Sequence, residues 1–322
     1  MIQEKRAYDV VVVGELNVDL ILNGMDRFPK TGREIFARQM HLTLGSSAAI
    51  LASNLSSLGA KVVFLGQIGN DVFGQLVLNS LQQAGVDTQY IIVNNNTPTG
   101  ASIGLQHDDD RAMVTFPGAM ETLQYDLLPL HLLDEARHLH FSSYFFQPGM
   151  QSSLAQLFKL AKEKGLSTSF DMQSDPHDKW EMDYASILPH TDIFFPNEQE
   201  LLLLTHTDSL TEAIGQVSAY TNVMAIKRGV KGSVVVYNNT SVQHPGYESP
   251  GVVDAIGAGD SFNAGFLFEY LQNKRLEACQ DFANKTGAWS TTAPGGTTGF
   301  SALKNAAQYV RDQFSHAKAA SA

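Results

Sequence analysis

Residues Ser46–Leu65 read SSAAILASNLSSLGAKVVFL, and they set the class of fold. From Ser46 to Leu58 small and apolar residues recur at helical spacing, and Gly59 stands where a helix takes its glycine stop. Lys61–Leu65 (KVVFL) follows at once, a short β-branched run that reads as a strand. Upstream, Tyr8–Val13 (YDVVVV) is a continuous apolar run of the kind a parallel strand covered on both faces requires. Together these stretches give strand, insert, helix, strand.

The alternation continues to the end of the chain. Phe73–Ala84 reads as a helix stopped by Gly85, and Ser152–Lys164 as a helix stopped by Gly165, with the strand Leu166–Phe170 beyond it. Asp192–Phe195, Val223–Ile226 and Ser233–Val236 read as short strands, and Asp260–Leu271, Leu276–Thr291 and Ala302–Phe314 as helices. The fold class expected is therefore α/β, with a mostly parallel sheet covered on both faces. Two stretches break the pattern. Glu34–Leu44 and Thr99–Phe116 have period-2 alternation punctuated by Gly, Asn and Asp. The second reads as a β-hairpin, Gly100–Gln106 and Arg111–Phe116 joined by the acidic turn His107–Asp110. Inserted hairpins of this kind form a small β-sheet above the main one, here expected as a lid built from segments 15–44 and 97–120.

Composition narrows the class of function. At about 150 residues per domain, 322 residues suggest about two domains. With 43% hydrophobic and 17% charged residues the chain can fill a core, which excludes wholesale disorder. The net charge is 22 − 33 = −11, and no Lys/Arg run offers a basic face, so nucleic acid is not an expected partner. The single cysteine, Cys279, can form neither an intramolecular disulfide nor a cysteine-based zinc site. The run Val10–Val13 breaks at Gly14 and Glu15, too short for a signal-peptide core, and no stretch approaches the ~18 apolar residues of a membrane span. A soluble, cytoplasmic setting is expected. If so acidic a protein handles phosphate, backbone amides and a metal must hold it locally.

Val252–Phe268, VVDAIGAGDSFNAGFLF, carries the most chemistry. Gly257, Ala258 and Gly259 lack bulk, so their N–H groups can converge on an anion, and the helix starting near Asp260 adds its positive dipole end. Considered alone, an Asp after glycines at a helix start reads as an N-cap. The tetrapeptide also fits neither GxxxxGK[ST] nor GxGxxG.

The wider segment resembles the second signature of the ribokinase-like (PfkB) carbohydrate kinases, DTxGAGDxFxxG. Asp254, Gly257, Ala258, Gly259, Asp260, Phe262 and Gly265 match, and Ala255 stands for the usual Thr. The resemblance implies a three-layer α/β/α ribokinase-like domain over residues 1–322, with Asp260 as catalytic base and the amides of Gly257–Gly259 as an anion hole. Gly14–Asp19 (GELNVD) resembles the family's first strand end, which places Asp19 and Asn17 against substrate hydroxyls; read without the family, Asn17 is equally a turn residue. Leu44–Gly59 resembles the first signature, bringing Gly45 and Ser46 to the substrate. Ser46 replaces a frequent second Gly and Ile50 a frequent sugar-contacting Asn.

Phe195–Glu200 (FPNEQE) resembles the NxxE motif, which implies Mg²⁺ handled through water by Asn197 and Glu200. Lys227–Gly232 (KRGVKG) resembles the KxGxxG nucleotide loop, with Lys227, Gly229 and Gly232, and Asn284 falls in the segment bordering adenine. Gly295-Gly296 and Asp254 match the monovalent-cation region, so K⁺ near Asp254 is implied as well. The activity implied is ATP-dependent phosphorylation of a hydroxyl on a sugar or sugar-like alcohol. The lid would close over the substrate and offer a surface for a homodimer. The rivals are a nucleoside kinase of the same fold, its base clamped by Phe116, Tyr144 or Phe145, and a non-catalytic pseudokinase that only binds. Arg111 could reach substrate from the lid or sit in a surface ion pair. Asp171, Asp175 and His177 follow a strand and could line the cleft. His138 and His140 read as structural, and Asp108–Asp110 as a solvated turn.

Overall fold

The computed structural model describes residues 6–107 and 110–315, the side chains of Asp110 and Arg111 excepted. In chain order the strands are Tyr8–Val13 (β1), Asn17–Asn23 (β2), Gln39–Leu44 (β3), Val62–Leu65 (β4), Gln67–Gly69 (β5), Ile92–Asn94 (β6) and Gly100–His107 (β7). Asp110–Phe116 (β8), Ala136–Ser142 (β9), Ser167–Asp171 (β10), Ile193–Phe194 (β11), Val223–Lys227 (β12), Ser233–Tyr237 (β13) and Thr240–His244 (β14) follow. Eight of them form the main sheet in the order β14-β13-β12-β11-β10-β9-β1-β4. From β4 across to β12 the neighbours run parallel, and β13 and β14 finish that edge antiparallel.

The VVVV run of β1 shows why both faces had to be covered. Side chains alternate across a strand, so Val10 and Val12 enter one core while Val11 and Val13 enter the other. Helices Ser47–Leu58, Val72–Gln83, Ala258–Tyr270 and Leu276–Ser290 pack on the first face. Leu154–Glu163, Glu198–Thr205 and Leu210–Val217 pack on the second. The small residues of Ser47–Leu58 serve a close approach: a Cβ at Gly14 would run into the Cβ of Ala48. Gly59 ends this helix in the left-handed conformation at φ 117°, its N–H bonded back to the carbonyls of Leu55 and Ser56.

The second sheet has the order β3-β2-β7-β8, with β2 and β7 parallel and both hairpin pairs antiparallel. The expected hairpin is present. Of the acidic turn, Asp108 and Asp109 lie outside the described residues. The other insertion differs from expectation, since pairing begins only at Gln39 and the chain before it carries no strand as far back as Asn23. Asn17 is no turn residue but opens β2. At the C-terminus the helix expected over 302–314 starts only at Ala306 and runs to Gln313, and a separate turn of helix, Thr298–Ser301, precedes it. Asn305 separates them at φ 56°, a conformation Asn tolerates because its short polar side chain can bond locally. Likewise Pro148–Gln151 forms its own turn of helix before the longer one starts at Leu154. Among the described residues no helix is long and apolar enough to cross a membrane.

Candidate active site

Strands β1, β9, β10, β11 and β12 are parallel and end on one edge, and a polar residue stands at or just beyond each end. Glu15 follows β1, Ser143 follows β9, Asp171 ends β10 with Gln173 beyond, Asn197 follows β11, and Lys227 ends β12. Strand order reverses at β1, which has β4 on one side and β9 on the other. Open α/β sheets collect ligands at such a reversal, beyond the strand carboxyl ends. A cavity of about 1990 Å³ opens there, with the small sheet contributing Asn17, Asp19, Ser102, Met113 and Thr115 to its wall. A cleft of a few hundred Å³ suffices for one small ligand; this one has room for two.

The glycine turn lies on the same cavity. Gly257 holds φ 74° as the N-cap of Ala258–Tyr270, and a Cβ there would press on Gly296 and on Ile50. Having no side chain, this cap leaves the first-turn donors open. The Ala258 N–H turns back weakly on the Ala255 carbonyl at 3.3 Å. Those of Gly259 and Asp260 have no protein acceptor among the described residues, which leaves two donors and the helix dipole for an anion. Asn54 steadies the turn from the facing helix, donating to the Gly296 carbonyl and to Ser261 Oγ, each at 2.9 Å.

Asp260 stands beside these donors, buried at 8% exposure. Its Oδ1 accepts from Ser47 Oγ at 2.6 Å and from Gln173 Nε2 at 3.2 Å, and Gln173 also donates to Ser47 Oγ at 2.7 Å. Oδ2 is left facing the cavity. Burial pushes this carboxyl from 3.8 up to about 7; the charges of Asp171 and Asp19 push the same way, while Ser47 and Lys227 pull it down.

Lys227 is turned inward. Its Nζ donates to Asp171 Oδ2 at 2.6 Å, and Asn263 donates to the same oxygen at 2.5 Å. Burial works against the ammonium, but Asp171 and Glu200 outweigh it and hold its pKa above that of a free lysine. Asn197 and Glu200 form a reciprocal capping box at the start of Glu198–Thr205, Asn197 Oδ1 accepting from Glu200 N at 2.7 Å and Glu200 Oε2 from Asn197 N at 2.8 Å. Burial raises the Glu200 carboxyl to about 7, and on this cavity-lining residue Oε1 has no hydrogen-bond partner among the described residues. The amide and carboxylate oxygens of this pair fit a hard divalent cation bound through water. Among the described residues no group of three or more His, Cys, Asp or Glu side chains makes a direct metal site.

At the opposite end Asn17 donates to Asp19 Oδ1 at 3.1 Å and to Ser102 Oγ at 3.0 Å. Gly45 does not line the cavity but makes room for it, since a Cβ there would strike the Asp19 carboxylate. Ser46 sits at φ 70° and carries two hydrogen bonds that a glycine could not, accepting from Ala49 N at 2.9 Å as N-cap and donating to the Glu15 carbonyl at 2.6 Å. Gly229, Gly232 and Asn284 line the far end of the cavity, where Asn284 Nδ2 is held by Ser233 Oγ and the Gln280 carbonyl. Asp254 lies behind the glycine turn, its two oxygens accepting from Ile256 N and Gly295 N. The side chain of Arg111 lies outside the described residues.

Of the aromatic residues weighed as a base clamp, only Phe145 lines the cavity. Phe116 is half exposed, opposite Ala101 on the outer face of the small sheet, and Tyr144 is packed on Phe145 and Phe170. Asp175 organises its own loop by accepting from the N–H groups of His177, Lys179 and Trp180, and His177 reaches the cavity. His138 and His140 are buried, bonded to Ser167 and Ser169, and neutral because burial drives both to about 3. Sequence reasoning passed over Glu15, Ser47 and Gln173. Glu15 was readable as a carboxylate at the end of a buried strand, and Gln173 lies two residues past Asp171. Ser47 gives no sequence signal beyond its place in a helix's first turn.

The description "pfkB family carbohydrate kinase" matches residues 7–303. The chain is 31% identical over 234 residues to a sugar kinase of Archaeoglobus fulgidus, covering 73% of this chain and 92% of the relative. It is 30% identical over 280 residues to an ATP-dependent ribose-1-phosphate kinase of Halopiger xanaduensis, covering 87% and 90%. The structure of Arabidopsis thaliana ribokinase complexed with ribose and ATP superposes with a TM-score of 0.81 at 26% identity, over 95% of this chain and 99% of that one. An inward-facing carboxylate beside an open glycine turn, on this sheet and with these relatives, leads to one assignment: the chain belongs to the pfkB family of carbohydrate kinases and has the ribokinase fold.

Proposed function

We propose that the protein transfers the γ-phosphoryl group of ATP to a hydroxyl group of a sugar or sugar-like polyol. The observation that carries this reading is the clamped base. Ser47 and Gln173 fix Oδ1 of Asp260 and leave Oδ2 open, next to two unpaired helix N–H groups. A hydroxyl set against Oδ2 gives its proton to Asp260 as its oxygen bonds to the γ-phosphorus, while the bond from that phosphorus to the bridging oxygen breaks and ADP leaves. General-base help of this kind typically contributes ~10²–10⁴-fold, and each well-placed donor to the developing charge roughly 10²–10³-fold. Asn17 and Asp19 hold other hydroxyls of the acceptor, with Gly45 and Ser46 shaping that wall. Gly229, Gly232 and Asn284 hold the nucleotide, while Lys227, paired with Asp171, braces Asn263 of the helix that follows the glycine turn. Asn197 and Glu200 would hold Mg²⁺ through water, and the metal when bound neutralises phosphate charge that the surrounding carboxylates would repel. Asp254, already bonded to two backbone N–H groups, is the carboxylate nearest to hand for K⁺.

The whole chain reads as one kinase domain, with the four-stranded sheet acting as a lid. The lid's outer face supports a homodimer. Rows Leu42–Leu20–Ile103–Val114 and Met40–Leu22–Leu105–Ala112 run across all four strands without a polar residue. Met40 is 66% exposed and Val114 69%. A cytoplasmic setting suits an ATP-using enzyme with one buried, free cysteine.

The test is ADP formation from Mg-ATP with a panel of sugars and nucleosides. Turnover with sugars well above that with nucleosides is expected. A preference for nucleosides would move the assignment to a nucleoside kinase, with Phe145 under the base. No ADP with any acceptor would make the chain a binding module without turnover.

A further inference from the structure

Arg228 lines the cavity between Lys227 and Gly229, and the reaction as described makes no use of it. A parallel bridge between Asn197 and Lys227 sets this stretch beside the start of Glu198–Thr205, and the Arg228 N–H donates to the Gly232 carbonyl at 2.9 Å. The residue therefore stands between Asn197 and Glu200 on one side and the loop glycines on the other. Its guanidinium is engaged along one edge, where Nε and Nη2 donate to the two carboxylate oxygens of Glu198 at 3.2 and 3.1 Å. That pairing uses two of the five N–H donors an arginine carries. The two on Nη1 and the second on Nη2 have no acceptor among the described residues. Nor is Nη1 closed off inside the protein, since the Arg228 side chain keeps 20% of its surface exposed.

The free edge is a fork of parallel N–H groups, the shape that takes two oxygens of one phosphate. Lys227 and Arg228 are the Lys and Arg residues on the described wall of the cavity. Lys227 is drawn onto Asp171 at 2.6 Å, whereas Glu198 occupies only one edge of Arg228. A half-exposed ion pair adds little to the fold. What this one does is hold the other edge still, which lowers the entropy lost when a ligand binds there.

We infer that Arg228 is a nucleotide-binding residue whose free Nη1–Nη2 edge takes the oxygens of an ATP phosphate, with Glu198 as the residue that orients it. This rests on the kinase reading and adds to it the side chain that meets the phosphates. A phosphate carried by the acceptor would offer the same chemistry. The place of Arg228, next to Gly229 and Asn197 and at the opposite end from Asn17 and Asp19, favours the nucleotide.

The probes are Mg-ATP with the best sugar of the panel, read as ADP release, and ADP alone, read as the shift in Tm. Arg228→Ala is expected to raise the KM for ATP by roughly 10- to 100-fold, the range of a hydrogen bond to a charged group. The KM of the sugar stays where it was, and most of the Tm shift given by ADP is lost. Arg228→Lys, which restores the charge and the partner of Glu198 but not the fork, recovers only part of both. Glu198→Ala breaks the same ion pair from the other side, yet it should change the KM for ATP by no more than a few-fold.

If Glu198→Ala weakens ATP and ADP as much as Arg228→Ala does, or Arg228→Lys restores both fully, the ion pair is structural and the inference is wrong. It is equally wrong if Arg228→Ala leaves the KM for ATP unchanged, or raises the KM of the acceptor in its place. If the wild-type protein releases no ADP with any sugar, the kinase reading fails, and the Tm arm still judges Arg228. A shift given by ADP in wild type and lost in Arg228→Ala supports the contact, and an equal shift in both overturns it. A wild-type protein whose Tm ADP does not move overturns it as well.

Discussion

Replacing Asp260 with Asn should cost the enzyme its chemistry and make the protein more stable. The substitution keeps the shape and leaves Oδ1 to accept from Ser47 and Gln173 as before. What it removes is a carboxyl that burial has raised from 3.8 to about 7. A carboxyl whose pKa is raised in the folded state binds its proton more tightly there than in the unfolded chain. Its ionisation therefore costs nothing well below the unfolded pKa, and the cost grows as pH rises until it levels off above the folded pKa. At 1.36 kcal/mol per pKa unit the ceiling is about 4 kcal/mol above neutrality and about 0.5 kcal/mol at pH 4. Relaxation of the neighbouring carboxylates will reduce it, and half the ceiling, about 2 kcal/mol, still raises Tm by several degrees. The assay is thermal or urea unfolding of both proteins between pH 4 and pH 8, beside ADP release. The expected pattern is a stability gap that opens with pH in favour of Asp260→Asn, with turnover down by ~10²–10⁴-fold. Wild-type kcat/KM should rise with pH through about 7, as the base ionises. Equal stability at pH 8, or turnover close to wild type, would refute both the buried-base assignment and the electrostatics behind it.

Lys227→Met should destabilise the fold by about 3–5 kcal/mol, because it leaves Asp171 as an uncompensated buried carboxylate; adding Asp171→Asn should restore much of the loss in a double-mutant cycle. The same change removes a cation that pulls the Asp260 pKa down, so the rising limb of kcat/KM should move to higher pH, and a limb that stays put would separate Lys227 from the base. Leu42→Glu, in the apolar row of the lid, should convert a dimer to monomer in sedimentation, whereas a wild-type protein already monomeric would refute that surface.

Strands, helices and the glycine turn were legible because they depend on neighbours in sequence. The VVVV of β1 announces burial on two faces, and Gly257 announces a conformation that a Cβ would obstruct. The lid hairpin was legible for the same reason, through its period of two. What could not be read is the set of contacts between strand ends far apart in the chain. Ser47 meets Asp260 across a separation of 213 residues, and Gln173 meets it across 87. No local pattern encodes that they hold Oδ1 and leave Oδ2 to the reaction. The C-terminal helix failed for the opposite reason. Its apolar spacing suits a start at Ala302, and the left-handed Asn305 delays that start to Ala306.

Ser46 shows how the two kinds of information join. By sequence it is a departure, a side chain where the family often has glycine. In the structure its positive φ carries the strain that a glycine would avoid, on the order of 1–3 kcal/mol. Its hydroxyl offsets this by capping the helix and by holding the carbonyl of Glu15, at roughly 1 kcal/mol for each bond. The strained serine thus fixes the backbone at Glu15, where β1 gives way to Asn17 and Asp19, which is why a change at this position belongs with the cavity wall that those two residues form.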